Sequence, residues 1–241
     1  MTIETKTVSW FSAGVSSAVA TKLAIDEIDK IIYIHIDDQH PDTLRFVNEC
    51  EEWFCKPIER RSGRVKTVAE AMCFFPSRGF GMFSPCTQIL KRRTRKEWEL
   101  ENEDDDITYV WGMDSTEINR CERLEISMPK FKHKFPLVEK SISKEHAHQI
   151  LSASGIKRPA MYDLGYHNNN CVGCVKGGMG YWNKIRVDFP NVFKERSELE
   201  RKLGGHFLKD CYLDELDPER GRHEPPIVED CGIFCELEAL K

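Results

Sequence analysis

Hydrophobic residues along this chain follow two patterns: short continuous runs, and longer segments in which they recur every three or four positions. The runs are rich in β-branched and aromatic residues. The run at 31–36 is typical of a strand that is buried on both faces of a sheet. The predicted strands are 8–11, 31–36, 56–60 and 107–111. The predicted helices are 16–28, a segment that begins near Pro41, 67–73, 144–154, 181–188 and 192–203.

Strands that alternate with helices predict an α/β fold with a doubly wound, mostly parallel sheet of the Rossmann-like type. Ligands of such sheets bind beyond the carboxyl ends of the strands, and Ser12, Asp37 and Gly112 each follow a predicted strand. We expect a nucleotide-binding domain over residues 1–176. A helical extension with a cysteine-bearing tail is expected over residues 177–241.

Charge and cysteine content narrow the class of protein. The formal net charge of −5 argues against a general polyanion binder, although local basic patches remain compatible with it. The absence of a long apolar run predicts a soluble, cytoplasmic protein without a membrane partner. In that compartment the ten cysteines stay reduced, so clustered cysteines indicate a metal, cluster or redox site rather than disulfides.

The segment after the first strand has the composition of an anion-binding loop. Small residues run from Ser12 to Ser17 and lead into the first predicted helix. Backbone N–H groups at a helix N-terminus bind phosphate, although a simple turn has the same composition. No Gly-Lys-Ser/Thr follows, so this is not the loop of P-loop nucleoside triphosphatases. The predicted loop residues are Ser12, Ala13, Gly14, Ser16 and Ser17.

Five cysteines form a candidate metal site. Cys171 and Cys174 lie in a Gly- and Asn-rich segment, where two thiolates can face one centre, and Cys86 precedes a predicted helix. Three such thiolates can anchor a [4Fe–4S] cluster, with Cys231, Cys235 or no protein side chain as the fourth ligand. The alternatives are zinc held by the two C-terminal pairs and a redox dithiol without metal. The remaining cysteines are expected to be buried as small hydrophobic residues: Cys50, Cys55, Cys73, Cys121 and Cys211.

Taken in order, several segments resemble the phosphoadenosine phosphosulfate (PAPS) reductase family, in the iron–sulfur-containing branch of the PP-loop, or adenine nucleotide α-hydrolase-like, superfamily. They are FSAGVSSA at 11–18, IDDQHPDT at 36–43, PCTQILKR at 85–92, GMDSTEINR at 112–120, FPLV at 135–138, CVGC at 171–174 and EDCGI at 229–233. The resemblance covers roughly residues 8–176 together with the tail.

This resemblance implies an oxidoreductase that acts on sulfur and binds an adenine nucleotide, which is PAPS, adenosine phosphosulfate (APS) or ATP. It assigns nucleotide binding to the loop residues together with Asp37, Gly112, Glu117 and Arg120. It assigns the substrate anion to Lys91 and Arg92. The Cys231 thiolate is implied as the catalytic nucleophile, with Cys235 able to resolve the intermediate. The implied electron donor is a thiol carrier such as thioredoxin, and the oligomeric state stays open, with a homodimer among the options.

Departures from the family pattern keep two other functions open. Ser16 and Ser17 stand where adenylating members carry Asp, Asp114 replaces the first Arg of its segment, and Cys86 stands alone where APS reductases have two cysteines. One alternative is an ATP-dependent iron–sulfur sulfurtransferase that thiolates a nucleic-acid base, a role to which the basic residues after Cys86 and the aromatic segment 75–85 would contribute. The other is a non-catalytic nucleotide or cluster sensor on the same fold.

Overall fold

The computed structural model describes residues 4–74, 85–103 and 105–221. In these residues a five-stranded sheet has the order β3-β2-β1-β4-β5, and every neighbouring pair is parallel. The strands are β1 (Thr5–Trp10), β2 (Lys30–Ile34), β3 (Ile58–Arg61), β4 (Asp106–Val110) and β5 (Lys132–Lys134). The predicted α/β class is therefore confirmed. Because the chain moves outward from β1 to β3 and then returns to β4, the winding direction changes between β1 and β4.

Helices connect and cover the strands. They are α1 (Val15–Leu23), α2 (Asp42–Phe54), α3 (Val68–Met72), α4 (Arg93–Glu101), α5 (Ile118–Ser127), α6 (Pro136–Glu139), α7 (Lys144–Ala153), α8 (Ala160–Asp163), α9 (Met179–Asp188) and α10 (Pro190–Leu203). A π-helical segment, Thr87–Arg92, runs directly into α4, and a short 3₁₀ turn spans Leu213–Glu215. No helix of the described residues is long and apolar enough to cross a membrane.

Local signals explain where several helices begin and end. Thr67 and Glu70 form a reciprocal capping box at the start of α3. Pro190 occupies the first turn of α10, where its missing N–H has no intrahelical partner to lose. That helix ends at Gly204, whose φ of 69° is a left-handed conformation that glycine adopts without a Cβ penalty.

Three hydrophobic clusters hold these elements together. One joins β2, β3 and β4 to α1, α2 and α7, and a second joins β1 and β4 to α4 and α5. The third joins α3, the π-helical segment, the Cys171–Cys174 loop, α9 and α10, with Trp182 fully buried at its centre. Helices that follow position 176 therefore pack on the same cluster as residues that precede it.

The structure differs from the sequence prediction at several points in the sheet, among them the start of β1 at Thr5 rather than at position 8. It adds β5, whose Lys-His-Lys sequence carries no hydrophobic signal, and it ends β2 at Ile34 rather than at position 36. The backbone N–H of Ile36 instead donates to the Gln39 side chain at 3.1 Å, which turns the chain away from the sheet.

Burial of the unpaired cysteines was predicted correctly only in part. Cys50 and Cys121 are buried, but Cys55 and Cys73 are exposed and Cys211 is intermediate. Cys55 caps the end of α2 with a left-handed φ of 52°, and Cys73 caps the end of α3. Both therefore lie where the chain leaves a helix at the protein surface, so the expectation of burial was wrong for these residues.

Candidate functional site

A cleft opens at the point where the winding direction changes, beyond the carboxyl ends of β1, β2 and β4. It encloses about 910 Å³ of space, its open mouth included. Its polar lining is Ser12, Ser17, Gln39, Thr87, Lys91, Arg92, Arg95, Glu117 and Arg120, and its apolar lining includes Trp10, Phe11, Trp111 and Met113. This is the position at which open parallel sheets bind their ligands.

The Ser12–Ser17 loop forms one wall of this cleft. The Ser17 hydroxyl oxygen accepts a hydrogen bond from the Ser12 backbone N–H at 3.1 Å, which closes the loop on itself. Ala13 is fully buried and has a φ of 59°. A left-handed conformation costs a residue other than glycine about 1–2 kcal/mol, so surrounding contacts must hold the loop in this shape.

Two remote residues supply such contacts. The Asn169 side-chain amide donates to the Ala13 carbonyl oxygen at 2.9 Å and to the Thr43 hydroxyl at 3.1 Å. The Tyr162 hydroxyl accepts from the Val15 backbone N–H at 3.3 Å. Gly14 precedes the first turn of α1, whose N–H groups have no intrahelical acceptor and suit an anion.

Gly112 lets the end of β4 approach this loop. A Cβ atom at Gly112 would lie 2.5 Å from the Ser17 Cα and 2.7 Å from the Ser17 backbone nitrogen. Because those atoms are backbone, a larger side chain would displace either the loop or the strand. Glycine at this position therefore keeps the two walls of the cleft in contact.

Charges in the cleft favour an anionic ligand. Among the described residues that line it, Lys91, Arg92, Arg95 and Arg120 are cationic, whereas only Glu117 is anionic. Arg95 also pairs with Glu99 at 3.1 Å, behind the lining. The chain as a whole has a net charge of −5, but these cations give the cleft a local positive potential, which attracts phosphate or sulfate groups.

Asp114, which departs from the family pattern, shapes the turn before α5. Its carboxylate accepts from the backbone N–H and the hydroxyl of Thr116 at 2.9 and 2.7 Å. Its own backbone N–H donates to Glu117 at 3.1 Å, and Glu117 accepts from Arg120. Asp114 is therefore a turn-forming residue that fixes the Glu117–Arg120 pair at the cleft.

Asp37 is not brought to the cleft. Its side chain is about half exposed and pairs with His35 at 3.4 Å. The neighbouring Asp38 is less exposed, with 12% of its side chain accessible, and its carboxylate accepts from the Val68 backbone N–H at 2.6 Å and from Arg196. Ala13, Gly14 and Ser16 belong to the loop but are not among the lining side chains.

A second, smaller cavity adjoins the cleft. Three described cysteines, Cys86, Cys171 and Cys174, line it together with Ile36, Val68, Leu90 and Val175, and it encloses about 290 Å³, its open side included. Thr87 and Lys91 line both this cavity and the cleft. We call it the cysteine cavity. Within the described residues, no group of three or more His, Cys, Asp or Glu side chains is arranged to hold a metal ion.

A glycine turn and a tyrosine hydroxyl hold the Cys171–Cys174 loop. Gly173 makes the turn between the two cysteines with a φ of 71°. The Tyr181 hydroxyl accepts from the Cys174 backbone N–H at 2.8 Å and donates to the Cys171 carbonyl oxygen at 3.4 Å. Burial raises the pKa of Tyr181 well above its usual value, because the phenolate would be poorly solvated. The neutral hydroxyl can therefore both accept and donate.

Cys231 and Cys235 lie outside the described residues, as does most of the aromatic segment, at 75–84. The described chain ends at Gly221, where a Cβ atom would lie 2.5 Å from the backbone nitrogen of Gly180. Asn183 fixes this end by donating to the carbonyl oxygens of Asp217 and Arg220, at 2.9 and 2.6 Å. Residue 221 thus lies next to the start of α9. That helix begins at Met179, five positions after Cys174.

Sequence reasoning missed several residues of this site. Trp10, Trp111 and Met113 lie within two positions of predicted strand ends, so the same rule that selected Ser12 and Gly112 could have found them. Arg95 follows Lys91 by four positions, and that helical spacing was an available signal. Asn169 gave no signal, because its partner Ala13 is 156 positions away.

No protein-family model matches the sequence. The uncharacterized protein MJ0066 of Methanocaldococcus jannaschii is 25% identical over 217 residues, which cover 83% of this chain and 43% of that protein. The chain therefore spans less than half the length of this curated relative. A crystal structure of PAPS reductase from Candida auris, in a phosphate complex, matches with a TM-score of 0.47 at 12% identity, over 71% of this chain and 82% of that one.

Proposed function

We propose that this chain is a PAPS-reductase-like enzyme that binds an adenine sulfonucleotide in the cleft and reduces its sulfur with a cysteine thiolate. One observation carries the proposal: a cationic cleft and a cavity lined by three cysteines share a wall, formed by Thr87 and Lys91. An anion bound in the cleft would therefore lie next to the cysteine thiols.

The cleft suits both ends of such a nucleotide. Loop amides at the start of α1, with Lys91, Arg92 and Arg120, would bind the phosphate and sulfate oxygens. Trp10 and Trp111 offer aromatic surface for the adenine ring. Glu117 remains paired with Arg120 and would orient it toward the anion.

The cysteine cavity brings together three thiols of the described residues, the donor type of an iron–sulfur cluster, although their present arrangement is not that of a metal site. Three buried thiols in an apolar shell are typical ligands of such clusters, and Cys86, Cys171 and Cys174 would hold it. A bound cluster would supply an iron centre whose potential the nearby charge tunes. Lys91, on the shared wall, would offset the negative charge of the thiolates.

The reaction follows from the chemistry of a thiolate and a phosphosulfate. The Cys231 thiolate attacks the sulfur, an S–S bond forms, and the S–O bond to the phosphate breaks. The phosphate oxygen takes that electron pair, and Lys91, Arg92 and Arg120 would neutralise its charge. A reduced dithiol carrier then attacks the sulfur of Cys231 and releases sulfite. The second thiol of the carrier restores Cys231 and leaves the carrier oxidised.

The test combines metal analysis with sulfite production. Protein purified without oxygen is assayed for iron, zinc and acid-labile sulfide, and then for sulfite from PAPS and APS with reduced thioredoxin. We expect sulfite formation that Cys231→Ser abolishes. Cys55→Ser, which removes an exposed thiol, is the matched control. Full sulfite production by the Cys231 variant would exclude that residue as the nucleophile, and zinc without sulfide would exclude the cluster.

A second candidate, ATP-dependent transfer of sulfur to a nucleic-acid base, is favoured by exposed cations on and beside α4. Arg64 and Lys66 are exposed on a loop that contacts this helix, since a Cβ atom at Gly63 would lie 2.9 Å from the Thr94 hydroxyl. Lys96 is exposed on that helix. Exposed cations of this kind bind nucleic-acid phosphates. Pyrophosphate release from ATP that depends on added RNA, without sulfite formation, would identify this function.

A further inference from the structure

Asn169 connects the two halves of the candidate site. Its side chain is buried and donates to the Ala13 carbonyl oxygen and the Thr43 hydroxyl, while Cys171 follows two positions later in the same loop. We infer that Asn169 is a positioning residue: it holds the nucleotide loop in its anion-binding shape and couples nucleotide binding to the cysteine pair. The inference rests on the proposed function, because it requires a nucleotide in the cleft.

The loop depends on this contact because Ala13 has an unfavourable backbone conformation. With a φ of 59°, Ala13 is held by its surroundings rather than by its own preference. The Asn169 amide bonds the carbonyl oxygen of this residue and so fixes the orientation of the peptide unit that contains the Gly14 N–H. Without that donor, Ala13 can relax to negative φ, and this N–H turns away from its position in the loop.

The same contact reaches the cysteines through a short, fixed piece of backbone. Two peptide units separate Asn169 from Cys171. Beyond them, the Val172 N–H donates to the Asp38 carbonyl oxygen at 2.8 Å, and the Cys171 carbonyl oxygen accepts from Tyr181. A movement at Ala13 therefore displaces Cys171 instead of being absorbed by a flexible loop. Nucleotide binding, which selects one shape of the loop, should change how accessible the cysteine pair is.

Nucleotide titration of matched variants tests the inference. N169D keeps the side-chain shape but directs an acceptor oxygen at the Ala13 carbonyl oxygen. N168D is the control, because the Asn168 side-chain oxygen accepts from Lys144 and a carboxylate keeps that bond. PAPS, APS and ATP are each titrated against the tryptophan fluorescence of the full chain, since Trp10 and Trp111 line the cleft. We expect Kd to rise about tenfold in N169D and to change less than about twofold in N168D.

A second-site variant separates positioning from general damage to the fold. Glycine adopts positive φ without strain, so A13G combined with N169D should bring Kd back to within about threefold of wild type. Loss of stability alone would not be rescued in this way. If N169D does not fold by circular dichroism, N169A, which removes the donor without adding a charge, provides the same comparison.

Alkylation by iodoacetamide without oxygen, mapped by peptide mass spectrometry, measures the coupling. Bound nucleotide should change the rates at Cys171 and Cys174 about fivefold in the wild type, with exposed Cys55 as the internal reference, and N169D should abolish that change at saturation. Wild-type Kd in N169D, or a nucleotide effect on Cys171 that persists in it, would overturn this inference alone. A wild-type chain that binds none of the three nucleotides would overturn the proposed function, and the inference with it.

Discussion

The cleft and the cysteine cavity are built in different ways. The cleft is formed where strands end, and its walls meet because Gly112 has no side chain to separate them. The loop of the cysteine cavity is held by hydrogen bonds to the Tyr181 hydroxyl and to the Asp38 carbonyl oxygen, and Asp38 in turn pairs with Arg196. A close backbone approach therefore sets the walls of the first region, and hydrogen bonds set the position of the loop in the second. Asn169 connects the two regions, so damage that spares Asn169 should act mainly on the region in which it lies.

The largest effect is expected in the region that long-range contacts hold. Arg196 is almost fully buried and pairs with Asp38, whose backbone also bonds the cysteine loop. Arg196→Met leaves a buried carboxylate without this partner, so we expect the free energy of unfolding in urea to fall by about 3 kcal/mol. Under the proposed function, metal content should fall with it, while Kd for the nucleotide stays near wild type.

Lys194→Met is the control for this change, because Lys194 lies on the same helix with its side chain 78% exposed and only a 3.9 Å pair to Glu198. We expect Lys194→Met to lower the free energy of unfolding by less than about 0.5 kcal/mol. A nucleotide Kd that weakens in parallel with metal loss in Arg196→Met would show that the two regions are not separable.

The reciprocal change acts on the cleft. Gly112→Ala places a Cβ atom against the Ser17 backbone, which should cost about 2 kcal/mol of unfolding free energy and weaken nucleotide binding about tenfold. Metal content per folded chain should not change. Gly155→Ala separates backbone strain from close approach, since Gly155 has a φ of 76° and no atom within 4 Å of its Cβ position; it should lower the free energy of unfolding by about 1 kcal/mol and leave nucleotide binding unchanged. Equal nucleotide affinity in Gly112→Ala and wild type would refute the close-approach argument.

The smallest effect comes from a pair that belongs to neither region. Arg45 donates to Asp42, and the pKa of this carboxyl falls from 3.8 to about 2. The folded chain therefore binds protons less readily than the unfolded chain, so this stabilisation is present above pH 3.8 and is lost as the pH falls toward 2. We expect Asp42→Asn to lower the free energy of unfolding by about 1 kcal/mol at pH 7, with the difference vanishing near pH 2.

Neither nucleotide affinity nor cysteine reactivity should change in Asp42→Asn. Asp163→Asn, in an exposed pair with Arg158, is the matched control and should show no comparable pH dependence. The free energy of unfolding of Asp42→Asn and wild type could instead differ by a constant amount from pH 2 to 7. That result would assign the stability to packing rather than to charge.

The cleft and the cysteine cavity also differ in how much of their structure the sequence predicts. The parallel sheet and the small residues after β1 and β4 could be predicted, because strand periodicity and strand ends are local signals. The choice between Asp37 and Asp38 could not be predicted. Only the fold determines which of these two adjacent carboxylates pairs with Arg196, which is 158 positions away from Asp38. Grouping Cys86 with Cys171 and Cys174 was predicted from spacing and family resemblance, and all three line one cavity. Their supports, Tyr181 and Asn169, depend on tertiary contacts alone.

The π-helical segment between Cys86 and α4 has a consequence for sequence alignment. A π-helix contains one more residue per hydrogen-bonded turn than an α-helix, and it arises within an α-helix by insertion of a single residue. Each α-helical residue turns the helix by about 100°, so deleting one here would rotate Arg95 and the rest of α4 away from their present direction. A homologue with a regular α-helix at this place should therefore align with a one-residue gap between Cys86 and Trp98, and present a different set of cations to its cleft.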